Sequence, residues 1–234
     1  MEEALEMAAG PSYRVAFRRR REGKTDYRLR RGLVLSGLPR IVVRGSLGNI
    51  SVQVVKAEVH GDRVITSAYS GELSRKYGWL GDTGNISSAY LTGLLCGVKA
   101  LSSGVKEAVL DIGLHYPSKS SRVFAALKGA LDAGLTIPFD KEKMPDEKRT
   151  QGQHIVDYAK GLSSNPEAYQ KQFSAQLSRG LKPEDISSHF AQVKERIISS
   201  FGKAEASKAT EAEVEPSTEE FEETEEEHES MEEE

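Results

Sequence analysis

Nine cations crowd the stretch from Arg14 to Arg31: Arg14, Arg18, Arg19, Arg20, Arg21, Lys24, Arg28, Arg30 and Arg31. Only Glu22 and Asp26 oppose them. Guanidinium forks match phosphate oxygens, and arginine at this density is the footprint of a nucleic-acid binder rather than of a packed core. Tyr13, Phe17 and Tyr27 stand among the arginines, where aromatic faces suit stacking on unpaired bases. The competing reading is a solvated basic tail or a localisation signal. The arm runs straight into a folded segment, which favours RNA.

A second chemistry rests on Asp111, in the run Val109-Leu110-Asp111-Ile112-Gly113. A carboxylate at the end of a buried strand, near Asp82, Glu107 or Asp132, suits Mg²⁺ in a ribonuclease-H-like nuclease. The plainer reading is a strand-end carboxylate that caps a loop or pairs with Arg122. Acids on neighbouring strands are missing, so the plainer reading is preferred. His60, His115, His154, His189 and His228 lack metal-ligand spacing. Cys96 follows Leu94-Leu95 inside a helical stripe and reads as a small core residue rather than a nucleophile. Trp79 with Tyr77 fits a base-stacking platform or a lid on a sheet equally well. No catalytic residue, metal site, cofactor or small-molecule substrate is expected.

The elements that must carry these residues follow from periodicity. Arg40 to Arg44, Ile50 to Val59 and Arg63 to Tyr69 read as three strands joined by short turns, an antiparallel meander. Gly71 to Gly84 reads as a loop. Asn85 is a suitable N-cap for a helix with Leu91, Leu94, Leu95, Val98 and Leu101 on one stripe, and Gly104 marks its end. Val105 to Ile112 then reads as a buried strand, Val123 to Ala133 as a second helix, and Ile137 to Phe139 as extended. The fold class is therefore α/β: a mixed sheet, a three-strand meander plus a further strand, with helices packed on it. From Lys141 the chain becomes a linker with three helical segments, about His154 to Leu162, Glu167 to Leu177 and Pro183 to Phe201.

Charge divides the chain. The last thirty residues, Glu205 to Glu234, hold 15 glutamates and one lysine, a net of −14. The preceding 204 residues therefore carry +10 of the overall −4. A glutamate run with so little apolar surface is expected to be disordered. Its roles are solubility or mimicry of RNA that keeps the arm selective. The expected organisation is a basic RNA-binding arm at 1–37, an α/β core at 38–140, a linker and helical appendage at 141–204 and a disordered glutamate-rich tail at 205–234. No apolar run approaches the ~20 residues of a membrane span. The acidic start MEEALEM is unlike a signal peptide, and the single cysteine excludes an internal disulfide. A cytoplasmic protein is expected.

Four segments in order resemble one family: Gly10 to Arg44 (GPSYRVAFRRRREGKTDYRLRRGLVLSGLPRIVVR), Tyr77 to Gly97 (YGWLGDTGNISSAYLTGLLCG), Glu107 to Pro138 (EAVLDIGLHYPSKSSRVFAALKGALDAGLTIP) and Arg149 to Leu162 (RTQGQHIVDYAKGL). They resemble the archaeal form of the universal large-subunit ribosomal protein L-eighteen, which is bound to 5S ribosomal RNA in the central protuberance. The resemblance covers roughly Gly10 to Phe201. It implies an α/β core, an arginine-rich arm reaching into RNA, and no catalysis. Its implied partners are 5S rRNA, large-subunit rRNA and neighbouring large-subunit ribosomal proteins, with no membrane. Its implied RNA contacts are Tyr13, Arg14, Arg18, Arg19, Arg20, Arg21, Lys24, Thr25, Tyr27, Arg28, Arg30 and Arg31, then Arg40 and Arg44 from the first strand, with Arg149 and His154 as weaker members. The link Gly45-Ser46-Leu47-Gly48-Asn49 departs from the more basic link usual there. Met7 resembles a normal family start, which makes Met1 to Glu6 an extension or the product of an upstream start codon. The rival functions are the Asp111 nuclease and a free RNA chaperone or assembly factor.

Overall fold

Alternating apolar residues on three strands build the sheet. In the computed structural model, which describes residue 12 and residues 14–212 with side chains to Phe201, these are β1 (Arg40–Gly45), β2 (Ile50–Glu58) and β3 (Gly61–Tyr69). They form the expected antiparallel meander, and β4 (Val109–Asp111) joins β1 in parallel to give the order β3-β2-β1-β4. Ile41, Val43, Ile50, Val52 and Val54 point to one face and are buried. Successive side chains on a strand alternate faces, so Arg40, Val42 and Arg44 share the other.

The helices α1 (Arg18–Arg21), α2 (Tyr27–Leu35) and α3 (Ser70–Lys76) precede the two that cover the apolar face, α4 (Ile86–Ser102) and α5 (Arg122–Asp132). Asn85 caps α4 as expected, its side chain accepting from the Ser88 amide at 2.8 Å. Gly104 ends the following turn with φ +81°, a conformation glycine adopts without strain. α4 is buried on nearly all sides because it lies between the sheet and α5. The two helices approach to backbone contact: a methyl on Gly93 would collide with the Ala126 carbonyl, and one on Gly129 with the Tyr90 carbonyl.

Beyond α5 come α6 (Glu147–Thr150), α7 (Gln153–Leu162), α8 (Pro166–Ser178) and α9 (Ile186–Ala212). Ile186, Phe190, Val193 and Ile197 form the buried stripe of α9. Trp79 is buried against this helix. Its ring stacks on His189 at 5.2 Å, and its Nε1 donates to the Asp82 carbonyl at 3.1 Å. Burial rules out the exposed stacking platform, and the contacts of Trp79 are with α9 and its own loop. The chain divides into two units, Met1–Ile197 and Ile198–Glu234; the second is described through Ala212, all of it helix.

Several expectations need correction. The segment 71–84 is not all loop: α3 begins at Ser70, anchored by buried Leu73 and by Glu72, which pairs with Lys76 one turn on and with Lys99 of α4. The strand expected over Val105 to Ile112 shrinks to Val109–Asp111, because Glu107 instead bridges Thr136. Val59 is fully exposed because β2 ends at Glu58 and Val59 falls in the turn to β3, while Val55 is buried. Helix α9 runs past the expected boundary at 204 as far as Ala212, where alanine, lysine and glutamate favour helix. Residues 213–234 lie outside the described residues.

Candidate nucleic-acid interface

The arm is not a featureless strand of charge. Asp26 caps α2, its Oδ1 accepting from the amides of Arg28 at 2.9 Å and Leu29 at 3.1 Å. Leu29 and Leu33, four residues apart, then fall on one face. A cap followed by apolar residues at helical spacing was a readable signal beneath the arginines. Upstream, α1 contains only Arg18–Arg21 and buries nothing. The chain between the helices is pinned by Arg19 Nε donating to Thr25 Oγ1 at 2.8 Å and by Lys24 Nζ, 2.9 Å from Glu22. Phe17 and Tyr27 pair their rings at 5.2 Å. Tyr13 lies outside the described residues.

Five charged groups form a ladder across the open face of the sheet. Arg30 of α2 grips Asp62 with both nitrogens, at 2.6 and 2.7 Å. Asp62 also lies 2.8 Å from Arg40 Nη2. Arg40 Nη1 reaches Asp111 Oδ2 at 2.8 Å, and Arg44 Nη2 reaches Asp111 Oδ1 at 2.8 Å. Arg44 Nη1 adds a bond to the Asp111 carbonyl at 2.7 Å. The order is Arg30–Asp62–Arg40–Asp111–Arg44, three cations to two anions. Hydrogen bonds from Arg30 hold the Asp62 carboxyl down to about 2, against the burial that works the other way and with help from Arg40.

The ladder separates the expected contacts into kinds. Arg40 is 2% exposed and is occupied by Asp62 and Asp111, so it stands inside the protein. Arg44 is exposed at the ladder's end. Arg14, Arg20, Arg21, Arg28 and Arg31 are exposed, and their side chains have no ion pair or hydrogen bond among the described residues. Arg18 lies 3.9 Å from Glu22, a loose surface pair. Arg149 and His154, on α6 and α7, are exposed and do not line the cleft beside the arm. Burial and the nearby Arg149 lower the basicity of His154.

Asp111 is not free for a metal. Its carboxylate accepts from Arg40, from Arg44 and from the Gly113 amide at 2.9 Å. The loop-capping expectation is met; the pairing with Arg122 is not. Arg122 instead donates to the carbonyls of Ser46 and Gly84, tying the link after β1 to the loop before α4. Among the described residues no three His, Cys, Asp or Glu side chains gather as metal ligands. Cys96 is fully buried, and burial pushes its thiol up to about 11, a core residue as expected.

Fold and site together define a basic-armed α/β protein whose central carboxylate is structural. Comparison with known proteins gives the family. The model for ribosomal large subunit proteins 60S L5 and 50S L18 matches residues 11–105 and 102–140. The large ribosomal subunit protein uL18 of Caldivirga maquilingensis is 53% identical over 201 residues, covering 86% of this chain and 97% of that protein. That of Aeropyrum pernix is 54% identical over 192 residues, 82% of this chain and 90% of its own. That of Staphylothermus marinus is 50% identical over 196 residues, 83% and 97%. The chain belongs to the uL18 family of large ribosomal subunit proteins in its archaeal form. It is a structural component of a cytoplasmic ribonucleoprotein, associated with ribosomal RNA and ribosomal proteins, and not an enzyme. This overturns the nuclease alternative.

Proposed function

We propose that this protein binds 5S ribosomal RNA and helps attach it to the large ribosomal RNA in the central protuberance. The observation that carries the reading is the set of exposed arm arginines with no ion pair or hydrogen bond among the described residues, Arg14, Arg20, Arg21, Arg28 and Arg31. A folded chain gains nothing from clustering such charges unless an external polyanion neutralises them. Arg18, Arg19, Lys24, Thr25 and Tyr27 extend the surface, Tyr13 joins them on the family resemblance alone, and Arg30 fixes the angle of the surface to the body. Arg44 adds a contact from the sheet; Arg149 and His154 are secondary. Arg40 serves the interface from behind, by holding the two aspartates.

Filter binding of 5S RNA and of an unrelated structured RNA tests this at two salt levels. With ~6 phosphates neutralised, affinity for 5S RNA falls by about 10³ between 50 and 200 mM salt. A flat salt dependence, or equal affinity for the two RNAs, would overturn it. Stoichiometric retention in salt-washed large subunits separates this reading from a visiting chaperone.

A further inference from the structure

We infer that the cleft between α2 and the open face of the sheet captures one unstacked nucleobase of the bound RNA. This rests on the RNA-binding reading above and specifies what that surface recognises besides phosphate. The cleft has a volume of about 800 Å³, ample for a nucleotide and its flanking backbone.

Val42 lies at the centre of its floor. Across the sheet, the Cα partners of Val42 are Gln53 on β2 and Asp111 on β4. Along β1, Arg40 and Arg44 flank it two residues away on the same face. An aliphatic platform is thus framed by a polar ring. Both carboxylates of that ring are held by arginines, so the frame does not repel an anionic chain. Leu29, Leu33 and Tyr27 of α2 line the facing wall, with Arg19 and Lys24 beside them.

A phosphate alone needs no apolar platform and no apolar wall. A planar base needs both, together with an edge reader. Gln53 is that reader: its side-chain amide has no hydrogen-bond partner among the described residues and lines the cleft. An amide offers a donor and an acceptor side by side, the pattern that pairs with a base edge, adenine above all. RNA sequence is read mostly on such splayed-out bases, held by stacking and edge hydrogen bonds. The ring lies on Val42 under Leu29 and Leu33, with its phosphate toward Lys24 and Arg19.

The test compares wild type, Gln53→Leu and Leu33→Ala on 5S RNA, by affinity, by dimethyl sulfate and carbodiimide probing of base edges, and by hydroxyl-radical footprinting of the backbone. In the wild type, one unpaired nucleotide is expected to lose base-edge reactivity on binding. Gln53→Leu restores that reactivity and weakens binding about 10-fold, the scale of one lost edge contact. Its backbone footprint and salt dependence stay unchanged. Leu33→Ala, on the opposite wall, weakens the same protection, so the outcome does not depend on one variant folding well. Unchanged affinity and unchanged base reactivity in both variants, with wild type still bound, would overturn the inference alone. Failure of the wild type to bind 5S RNA would overturn the RNA reading and the inference with it.

Discussion

Arg30 and Asp62 form a two-pronged ion pair, 2.6 and 2.7 Å, between the arm helix and the start of β3. It fixes α2 over the sheet although the two residues are 32 positions apart. Paired in-plane geometry of this kind is stronger and more directional than a single contact. Asp62→Asn should therefore lower the melting temperature. Because the folded carboxyl is depressed to about 2, its stabilisation is present above the unfolded pKa and disappears as pH falls through the folded value. The gap between wild type and Asp62→Asn should be full at pH 5 to 7 and close between about pH 4 and 2. Thermal melts at five pH values suffice to check it.

The arginines should divide into two groups under mutation. On the proposed RNA-binding reading, replacing Arg20, Arg21, Arg28 and Arg31 by alanine removes phosphate contacts and breaks no side-chain ion pair or hydrogen bond among the described residues. RNA affinity should fall steeply, with the salt slope reduced by up to about 3 to 4, while urea denaturation is nearly unchanged. Arg40→Ala should do the reverse first. It removes one guanidinium from the buried Asp111 carboxylate, which keeps Arg44 and the Gly113 amide, at a cost of about 1.5–3 kcal/mol in unfolding free energy. Paired filter binding and urea titration of the two variants distinguish the groups.

Gly93→Ala should destabilise the protein even though alanine favours helix. Its methyl would strike the Ala126 carbonyl across the α4–α5 contact. Overpacking of that kind costs roughly 1–3 kcal/mol, and alanine's helical preference returns no more than about 1 kcal/mol. The urea midpoint should fall, and Gly32→Ala, where a methyl meets nothing, should not lower it.

Acid should loosen the packing of α9 at His189. Its Nε2 accepts from the Leu80 amide at 3.1 Å, which requires the neutral ring. Burial lowers its basicity, with Arg196 acting in the same direction. A base whose folded pKa is depressed costs stability once the unfolded state protonates. The loss should begin as pH drops below about 6.5. Wild type should lose more melting temperature between pH 7.5 and 5 than His189→Gln does. His154 shifts in the same direction, so both proteins should carry His154→Gln for the comparison.

The parts legible in the sequence were those written in short-range patterns. Alternation along β1 and β2, the Asn85 cap and the apolar spacing of Ile186, Phe190, Val193 and Ile197 each appear within a few residues. The ladder does not. Asp62 reads as a turn residue, and Arg40 as one more exposed cation. Only the sheet order β3-β2-β1-β4 brings Arg40 between Asp62 of β3 and Asp111 of β4. The same holds for Asp111: nothing local to it points to Arg40 or Arg44, which the strand register brings to it. Helix α2 is obscured for a different reason: the Asp26 cap and the apolar pair Leu29 and Leu33 are interleaved with cations.

The docking of α2 by Arg30 also changes the thermodynamics of assembly. Residues Tyr27 to Leu35 already hold helical backbone angles, capped and anchored, before any ligand arrives. Ordering a residue costs ~1–2 kcal/mol of conformational entropy, and a segment folded in advance loses little of it on binding. Helix α1 buries no residue and is held by lighter ties, Arg19 on Thr25 and the loose Arg18–Glu22 pair. On the proposed RNA-binding reading, recognition is thus graded between the two helices: α2 is anchored and sets direction, and the lightly held α1 follows the contour of the polyanion it meets.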